Sequence, residues 1–394
     1  MKNVLVVNAG SSSIKYQLIE AETGIRQASG LVERIGEPQG RILHRGERSD
    51  EHELAVPDHT AGFTAMLDAF ARHGLAAQDL GIVAIGHRVV QGAGEFSAPT
   101  LLDDRVTERI NALSELAPLH NPGHYQAIVA AREVFPDVPH VAVFDTAFHQ
   151  TMPPQATTYA IDTAVAAEHG IRRYGFHGIS HQVVSRRAAE FLGRPVTELR
   201  QLVLHLGNGA SACAVDRGRS VDTSMGLTPL EGLVMGTRSG NIDPGALLHL
   251  MRAGLSPDEV DDLLNQRSGL LGLTGTGDFR DVRAAADRGE AEAELAIAVM
   301  VHRIRHYLGA FFVSLGGADA VVFTAGVGEN NAALRADVCA GLEWLGIRID
   351  PERNAAPNGE ARRISTDDSP VAVLVVPTDE EAEIARQTWD LVTA

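Results

Sequence analysis

The feature that most restricts the fold of this chain is a unit that occurs twice: a short apolar strand, a glycine-containing loop and a returning strand. Residues 4–7 run into Asn-Ala-Gly, pass three serines and return as an alternating strand over 15–19. Residues 202–206 run into Gly-Asn-Gly and return over 210–215. Each unit predicts a tight β-hairpin whose loop exposes backbone N–H groups.

The rest of the chain alternates further apolar runs with helical patterns. Predicted strands lie at 82–85, where Gly86-His87 ends the run, and at 141–144, 320–323 and 371–376. Predicted helices lie at 106–116, 125–133, 290–315 and 380–391. This alternation predicts an α/β fold in which sheets are flanked by helices, and 394 residues suffice for two or three domains.

Charge and cysteine content narrow the partners and the compartment. The 51 acidic residues outnumber the 34 basic ones, which gives a net charge of -17. An acidic surface repels phosphate backbones and anionic lipid, so we expect neither nucleic acid nor a membrane as a partner. Two cysteines exclude a disulfide framework and a four-cysteine zinc site, and no run resembles a signal peptide or a membrane span. We therefore expect a cytoplasmic protein.

Three glycine-rich segments at strand ends point to anion binding. They are the segments 8–13, with Lys15 close by, 205–209 and 326–330. Any one of them alone is also typical of a structural β-turn. Together they favour phosphate, because glycine lets backbone N–H groups approach an anion closely. Residues 207–212 also match a dinucleotide-binding string, but a strand and not a helix follows it. No Walker A motif occurs, since Lys15 precedes Tyr16.

Charged side chains also follow predicted strand ends or lie in glycine-bounded segments. Arg88 comes directly after the predicted strand at 82–85, Arg238 lies between glycines, and His177 lies between glycines beside an aromatic residue. Their alternative roles are surface ion pairs for the arginines and a satisfied, half-buried side chain for the histidine. Asp145 follows the strand at 141–144 and Glu380 opens the last helix. These carboxylates suit Mg²⁺, although Glu380 could equally complement the helix dipole.

Taken together, these segments resemble the acetate/propionate kinase family of the sugar-kinase, actin and Hsp70 superfamily. The strings that carry the resemblance occur in family order, namely NAGSSSIK, GHRVVQG, PLHNP, FDTAFH, YGFHGISH, HLGNGAS, SVDTSMG, TPLEGL, GTRSG, FTAGVGEN and PTDEEAEIAR. The resemblance implies two related ribonuclease-H-like domains, the actin-like ATPase duplication, with an active-site cleft between them. The implied N-terminal domain is 1–147 with 378–394. The implied C-terminal domain, for nucleotide binding and dimerisation, is 148–377.

The implied activity is reversible, direct in-line transfer of a phosphoryl group from ATP to acetate, giving acetyl phosphate and ADP. Mg²⁺ is the implied cofactor, with Mn²⁺ as the alternative ion, propionate is the secondary substrate, and the implied assembly is a homodimer. Two rivals stay open: a kinase for propionate or a longer acid, and a non-enzymatic nucleotide-binding module. A non-enzymatic nucleotide-binding module would have no use for an arginine such as Arg88 beside an apolar pocket.

The resemblance also assigns roles residue by residue. The implied catalytic residues are Asp145, Arg88, Arg238, His177 and Asn208, and the implied metal residues are Asn8 and Glu380. The implied acceptor site consists of Arg88, Val90, Leu119, Phe176 and Pro229. The implied nucleotide residues are Lys15, Ser11, Ser13, His205, Leu206, Gly207, Asn208, Gly209, Asp278, Phe279, Arg280, Gly326, Val327, Gly328, Glu329 and Asn330.

The chain departs from the family pattern at four positions, Gln91, Ile179, Asn241 and Asp379. Asn241 would remove a charge near Arg238, and Ile179 would alter hydrogen bonding near His177.

Overall fold

The computed structural model describes residues 2–357 and 359–394, and the chain divides into two compact units. The first unit comprises Met1–Phe148 with Asp379–Ala394, and the second comprises His149–Thr378. Each unit contains one β-sheet together with α-helices. The predicted α/β class is confirmed.

The first unit is built on a sheet with the strand order β5-β4-β3-β2-β1-β6-β8-β7. Its elements up to residue 148 are β1 (Asn3–Ala9), β2 (Ser13–Glu20), β3 (Arg26–Glu33), β4 (Gly40–Arg45), β5 (Ser49–Leu54), α1 (His59–Arg72), β6 (Ile82–Val89), β7 (Thr100–Leu101), α2 (Asp104–Ala112), α3 (Asn121–Val134) and β8 (His140–Phe144). A core of buried side chains, Leu5, Ile85, Phe63 and Phe70 among them, joins the sheet to α1 and α3. The helix expected at 106–116 already ends at Ala112, where a 3₁₀ turn follows.

The second unit has a sheet with the order β11-β10-β9-β12-β14-β13. Its elements are α4 (Pro154–Thr157), α5 (Thr163–Glu168), α6 (Gly178–Leu192), β9 (Arg200–Leu206), β10 (Ala210–Asp216), β11 (Arg219–Thr223), α7 (Pro244–Arg252), α8 (Pro257–Gln266), α9 (Gly269–Thr274), α10 (Phe279–Asp287), α11 (Ala291–Ser314), β12 (Ala320–Thr324), α12 (Ala325–Asn330), α13 (Ala332–Cys339), α14 (Pro351–Ala355), β13 (Arg362–Arg363) and β14 (Ala372–Val375).

The two sheets share one pattern. In each, a three-stranded antiparallel meander is extended by two parallel strands: β3-β2-β1-β6-β8 in the first unit and β11-β10-β9-β12-β14 in the second. Both predicted hairpins are present, closed by the pairs Ala9↔Ile14 and Leu206↔Ala210. This repeated order is the duplication that the sequence predicts.

A final helix, α15 (Glu380–Thr393), returns the chain to the first unit. It packs on β1, β6 and β8, and its N-cap Asp379 accepts a hydrogen bond of 3.0 Å from the Ala382 N–H. The three strands run parallel, so their carboxyl ends lie at one edge of the sheet. The helix begins at that edge, since Glu380 lies 3.8 Å from Arg88.

The strand end predicted at Gly86-His87 is wrong, because β6 continues to Val89. Gly86 serves close packing and not a turn. A Cβ at this position would collide with Thr388 Oγ1 and lie 2.8 Å from Ile384 Cγ2, both on α15. Arg88 therefore lies inside the strand, near its end, and not in a following loop.

None of the helices in the described part of the chain combines the length and the apolar character that crossing a membrane requires.

The packing of α15 on Gly86 generates a stability prediction. Gly86→Ala should lower the free energy of unfolding by on the order of 1–3 kcal/mol, because the added methyl group overpacks the helix–strand contact. The control is Gly309→Ala, in the middle of α11, where a Cβ meets nothing within 4 Å. That variant should gain about 1 kcal/mol from helix propensity. Chemical denaturation of both variants measures the difference, and equal effects would contradict the packing role of Gly86.

Candidate active site

In the first unit, an arginine and two carboxylates meet at the carboxyl edge of the sheet. Arg88 donates from Nε to Asp145 Oδ1 at 3.0 Å and from Nη2 to Asp145 Oδ2 at 2.7 Å. Glu380 Oε2 lies 3.8 Å from the same Nη2. The Asp145 side chain is only 2% exposed. Because β6 and β8 are parallel neighbours and α15 begins beside them, three distant stretches of sequence bring these charges together.

The charges of this group depend on one another. Burial lowers the pKa of Arg88, but the carboxylates of Asp145 and Glu380 outweigh it, so the pKa lies above its ordinary value and the guanidinium stays charged. Burial raises the pKa of Glu380, and Asp145 and Glu381 raise it further, against the opposing effect of Arg88. The surroundings of Glu380 therefore disfavour its charged form, and a bound cation would stabilise the carboxylate.

The first hairpin lies beside this group. Lys15 pairs in register with Asn8 and forms an ion pair with Glu381 on α15. Ser11 is exposed in the loop, whereas Ser13 begins the returning strand and is half-buried. Helix α3 approaches the loop so closely that a Cβ on Gly123 would lie 2.5 Å from the Ser11 nitrogen. The loop is therefore held in place by packing against the backbone of α3.

In the second unit, four of the predicted catalytic and nucleotide residues meet at the second hairpin loop. A Cβ on Gly209 would lie 3.0 Å from Arg238 Nη2 and 3.4 Å from His177 Nε2. The Gly236 N–H donates to the Asn208 carbonyl at 2.9 Å, which ties the loop to the segment that carries Arg238. His177, Asn208, Gly209 and Arg238 thus form one constellation, which we call the loop cluster.

Arg238 carries a charge that the described residues do not neutralise. Arg238 donates a hydrogen bond from Nη1 to the Pro229 carbonyl at 2.7 Å, and it forms no ion pair with a carboxylate of the described residues. Burial accordingly lowers its pKa, with no acidic neighbour to oppose the shift. A guanidinium remains protonated even so. A half-buried cation that is paired only with a carbonyl is suited to receive an anion.

A cavity of about 590 Å³ opens beside the loop cluster in the second unit. Of the predicted nucleotide residues, it is lined by Gly207, Asn208, Asp278, Phe279, Arg280, Gly326, Val327 and Asn330. His205, Leu206, Gly209, Gly328 and Glu329 do not line it. Its size lies in the range of small-molecule sites.

The third glycine segment is not a turn, contrary to the prediction, but the short helix α12. The buried Arg335 donates to the carbonyls of Gly328 and Glu329 at 2.8 and 2.9 Å and so secures the end of this helix. The Glu329 carboxylate accepts from the N–H groups of Ala325 and Thr378. Glu329 therefore supports the cavity wall and does not face the cavity.

Six further residues line the cavity that sequence reasoning missed: Met235, Gly236, Leu270, Gly277, Met300 and Asn331. Nothing in the sequence distinguishes the apolar residues Met235, Leu270 and Met300, which line the cavity, from ordinary core residues. The two glycines do carry one, since both lie in glycine-rich loops, and a Cβ on Gly277 would lie 3.2 Å from the Gly236 carbonyl oxygen.

The four predicted residues of the methyl pocket are divided between the units. In the first unit Val90 is buried, whereas the Leu119 side chain is 49% exposed. In the second unit Phe176 is buried and Pro229 half-buried, and the Pro229 carbonyl holds Arg238.

Three of the residues that depart from the family pattern, Asn241, Ile179 and Gln91, are hydrogen-bonded or buried in the structure. Asn241 accepts from the Gly232 N–H at 2.8 Å and donates to the Tyr307 hydroxyl at 2.8 Å. It serves to anchor its loop to α11. Ile179 is buried at the start of α6, and the buried Gln91 side chain accepts from the Ala93 N–H at 2.9 Å.

Comparison with known proteins identifies the family. A family model described as the acetokinase family matches residues 3–386. The chain belongs to the acetokinase family. It is therefore an enzyme, a phosphotransferase.

Individual acetokinase-family relatives match over their whole length. The chain is 62% identical to a protein of Leifsonia xyli subsp. xyli named acetate kinase, with 100% of both chains covered. It is 55% identical to one from Streptomyces griseus, with 99% and 96% covered. Among solved structures, acetate kinase of Porphyromonas gingivalis matches with a TM-score of 0.94 and 40% identity over 100% of both chains. A propionate kinase of Francisella tularensis matches with a TM-score of 0.93 and 41% identity, over 99% of this chain and 100% of that one.

Proposed function

We propose that this enzyme transfers a phosphoryl group reversibly between ATP and acetate, giving acetyl phosphate and ADP. The observation that carries the proposal is the loop cluster, where the half-buried Arg238, which no described carboxylate neutralises, and the ring of His177 converge on a glycine loop beside a nucleotide-sized cavity. Relatives that are 62% identical and named acetate kinase support the choice of acceptor. Two buried, unpaired cysteines, Cys213 and Cys339, suit a reducing compartment, and we assign the enzyme to the cytoplasm.

The cavity supplies the nucleotide site of this proposal. Its apolar residues Met235, Leu270, Phe279 and Met300 can enclose a flat base. The glycines Gly207 and Gly326 mark the walls along which phosphates could approach backbone N–H groups. Asp278 caps helix α10. The hydrogen bonds that Arg280 donates lower the pKa of the Asp278 carboxyl to about 2, so both side chains are charged at neutral pH. The pair can accept and donate hydrogen bonds to a sugar at the cavity rim.

The acceptor site of this proposal centres on Arg88. Asp145 occupies its Nε and Nη2 groups, and no described residue accepts a hydrogen bond from Nη1. That N–H edge can hold the carboxylate of acetate, with Val90 next but one in the chain to contact the methyl group. A carboxylate is already ionised and nucleophilic at pH 7, so the reaction needs no strong general base.

Catalysis then consists of positioning and neutralisation of charge. The transferring phosphoryl group spreads negative charge over three oxygens. Arg238, His177 and the Asn208–Gly209 backbone supply donors to those oxygens. Arg88 and Val90 belong to the first unit, and the cavity with the loop cluster belongs to the second.

The residues of the first unit fit a divalent metal of the magnesium type. Mg²⁺ takes one or two carboxylates and fills its remaining positions with water and phosphate oxygens. Glu380 is a half-buried carboxylate whose pKa is raised by burial and by nearby carboxylates, and Asn8 adds an amide oxygen near the end of β1. We propose that Glu380 and Asn8 hold Mg²⁺, or Mn²⁺, directly or through water. When bound, the ion neutralises charge on the nucleotide phosphates.

The proposal is tested by trapping acyl phosphate as its hydroxamate, with acetate, propionate and butyrate as acceptors. We expect turnover of acetate, with propionate used less well, because one methylene changes binding by only about 1–3 kcal/mol. Arg88→Ala should reduce kcat/KM by on the order of 10²–10³-fold, as expected for the loss of a transition-state contact.

The matched control is Arg109→Ala, which removes another arginine held by a carboxylate, Glu95, at an exposed position. It should retain wild-type rates. Failure of the wild-type protein to form any acyl hydroxamate would refute the proposed function. Full activity of folded Arg88→Ala would remove Arg88 from the acceptor site.

The role of Glu380 leads to a second prediction, in which function and stability change in opposite directions. Glu380→Gln should shift the rate-against-Mg²⁺ curve to at least tenfold higher metal concentration. A carboxyl group whose pKa is raised on folding makes the native state bind more protons, so stability falls as pH rises above the ordinary pKa of glutamate. At pH 8 the variant should therefore be at least as stable as the wild type.

Asp390→Asn, at the exposed end of the same helix, is the control and should leave the metal titration unchanged. An unshifted titration for Glu380→Gln would return Glu380 to the role of helix-terminal charge.

We also propose that the enzyme is a homodimer formed through the second unit. Helix α7 buries none of its own residues and exposes Leu248 and Met251, and α11 exposes Leu295 and Val313. Exposed apolar surface of this kind is typical of interfaces.

The oligomeric state can be measured by sedimentation. We expect a mass near twice 42.0 kDa. Leu248→Glu should shift the protein towards the monomer. Ile25→Glu, an equally exposed position in the first unit, should not change the mass. A wild-type monomer at micromolar concentration would contradict the proposal.

A further inference from the structure

The ring of His177 belongs to a hydrogen-bonded chain that continues into the core of the second unit. His177 Nδ1 lies 2.9 Å from Ser211 Oγ, and His181 Nε2 lies 2.8 Å from the same oxygen. Ser211 and His181 are completely buried, on β10 and α6. One hydroxyl therefore links the nitrogen of His177 that points away from Gly209 to a second, hidden imidazole.

The single proton of the hydroxyl fixes the directions of these two hydrogen bonds relative to each other. Among the described residues, Ser211 Oγ has no other hydrogen-bond partner. If both rings donated to it, its own proton would be left buried without an acceptor. If neither ring donated, the one proton of the hydroxyl could serve only one of the two contacts, and the other contact would join two acceptors without a proton. One ring must therefore donate to Ser211, and Ser211 must donate to the other ring.

The far side of His181 decides which ring is the donor. His181 Nδ1 is buried and has no hydrogen-bond partner among the described residues. If the proton of His181 were on Nδ1, an N–H would be orphaned, which is rarer and costlier in proteins than an unsatisfied acceptor. The neutral ring therefore carries its proton on Nε2 and donates it to Ser211. Burial, with the neighbouring His149 and His205, keeps the pKa of His181 well below its ordinary value, so this ring stays neutral.

We infer that Ser211 and His181 are positioning residues that hold His177 in the tautomer with its proton on Nε2. Ser211 donates to Nδ1 of His177, which must then be the unprotonated nitrogen. The proton is left on Nε2, which, like Arg238 Nη2, lies close to the position that a Cβ on Gly209 would occupy. The neutral ring thus presents a donor to the phosphoryl oxygens. The opposite tautomer would present a lone pair, which repels them.

This inference rests on the proposed function for its catalytic meaning, but the tautomer itself can be measured without any substrate. The probe is the wild-type protein labelled with ¹⁵N-histidine, observed through two-bond ¹H–¹⁵N correlations. His177→Gln identifies the His177 signals among the 16 histidines. We expect an unprotonated Nδ1 and a protonated Nε2 for His177 in the ligand-free protein. A protonated Nδ1 with an unprotonated Nε2 would overturn the inference, whether or not the enzyme phosphorylates acetate.

Variants of Ser211 test the catalytic consequence. Ser211→Ala should lower kcat by roughly tenfold or more, because the ring loses its orienting bond, while the KM values for acetate and ATP change little. Ser211→Thr keeps a hydroxyl group and should restore most of kcat together with the wild-type nitrogen shifts. Wild-type kcat in Ser211→Ala would overturn the role of the bridge. If Ser211→Ala does not fold, the wild-type spectrum and Ser211→Thr still decide, since Ser211→Thr must then show the same tautomer. If the wild-type protein does not phosphorylate acetate, the proposed function is refuted, but the tautomer measurement remains valid.

Discussion

The ion pair of Arg88 and Asp145 is the interaction that organises the charged side chains at the carboxyl edge of the first unit's sheet. Two hydrogen bonds hold the guanidinium in a fixed plane and orientation, which a single contact could not do. Both residues come from the ends of adjacent parallel strands, so the geometry of the sheet sets the geometry of the pair. Glu380 approaches the same guanidinium from helix α15, and the resulting balance leaves Arg88 charged and Glu380 in need of a cation.

The two arginines that we assign to the reaction contrast in their surroundings. Arg88 is held by carboxylates before any ligand binds, whereas Arg238 is held by the Pro229 carbonyl and keeps its whole charge for an incoming group. This contrast matches their proposed tasks. A carboxylate acceptor needs orientation from a guanidinium that is already fixed. A phosphoryl group in transfer is stabilised by a positive charge that no carboxylate already neutralises, and desolvation strengthens that attraction.

Local patterns in the sequence predicted the hairpins, most strands and the main helices, because periodicity and glycine-bounded loops are properties of neighbouring residues. Two of the errors occur where a glycine segment is fixed by residues that are distant in the sequence. Gly86 reads as a strand end but makes room for Thr388, and the segment from Gly326 reads as a turn but forms a helix whose end Arg335 secures. The bridge from His177 through Ser211 to His181 could not be read from the chain, since only the packing of α6 on the sheet brings those residues together. The apolar cavity wall stayed hidden because Met235 and Met300 look like any core residue.

The return of α15 to the first unit has a consequence for how the protein is made. The ribosome completes every residue of the second unit before it adds the helix that packs on β1, β6 and β8. The second unit is one continuous stretch, His149–Thr378, and can fold during synthesis as domains commonly do. The first unit is begun earlier, but β1, β6 and β8 lack the helix that packs on them until α15 has been synthesised. Glu380 can therefore meet Arg88 only after every residue of the second unit has been synthesised.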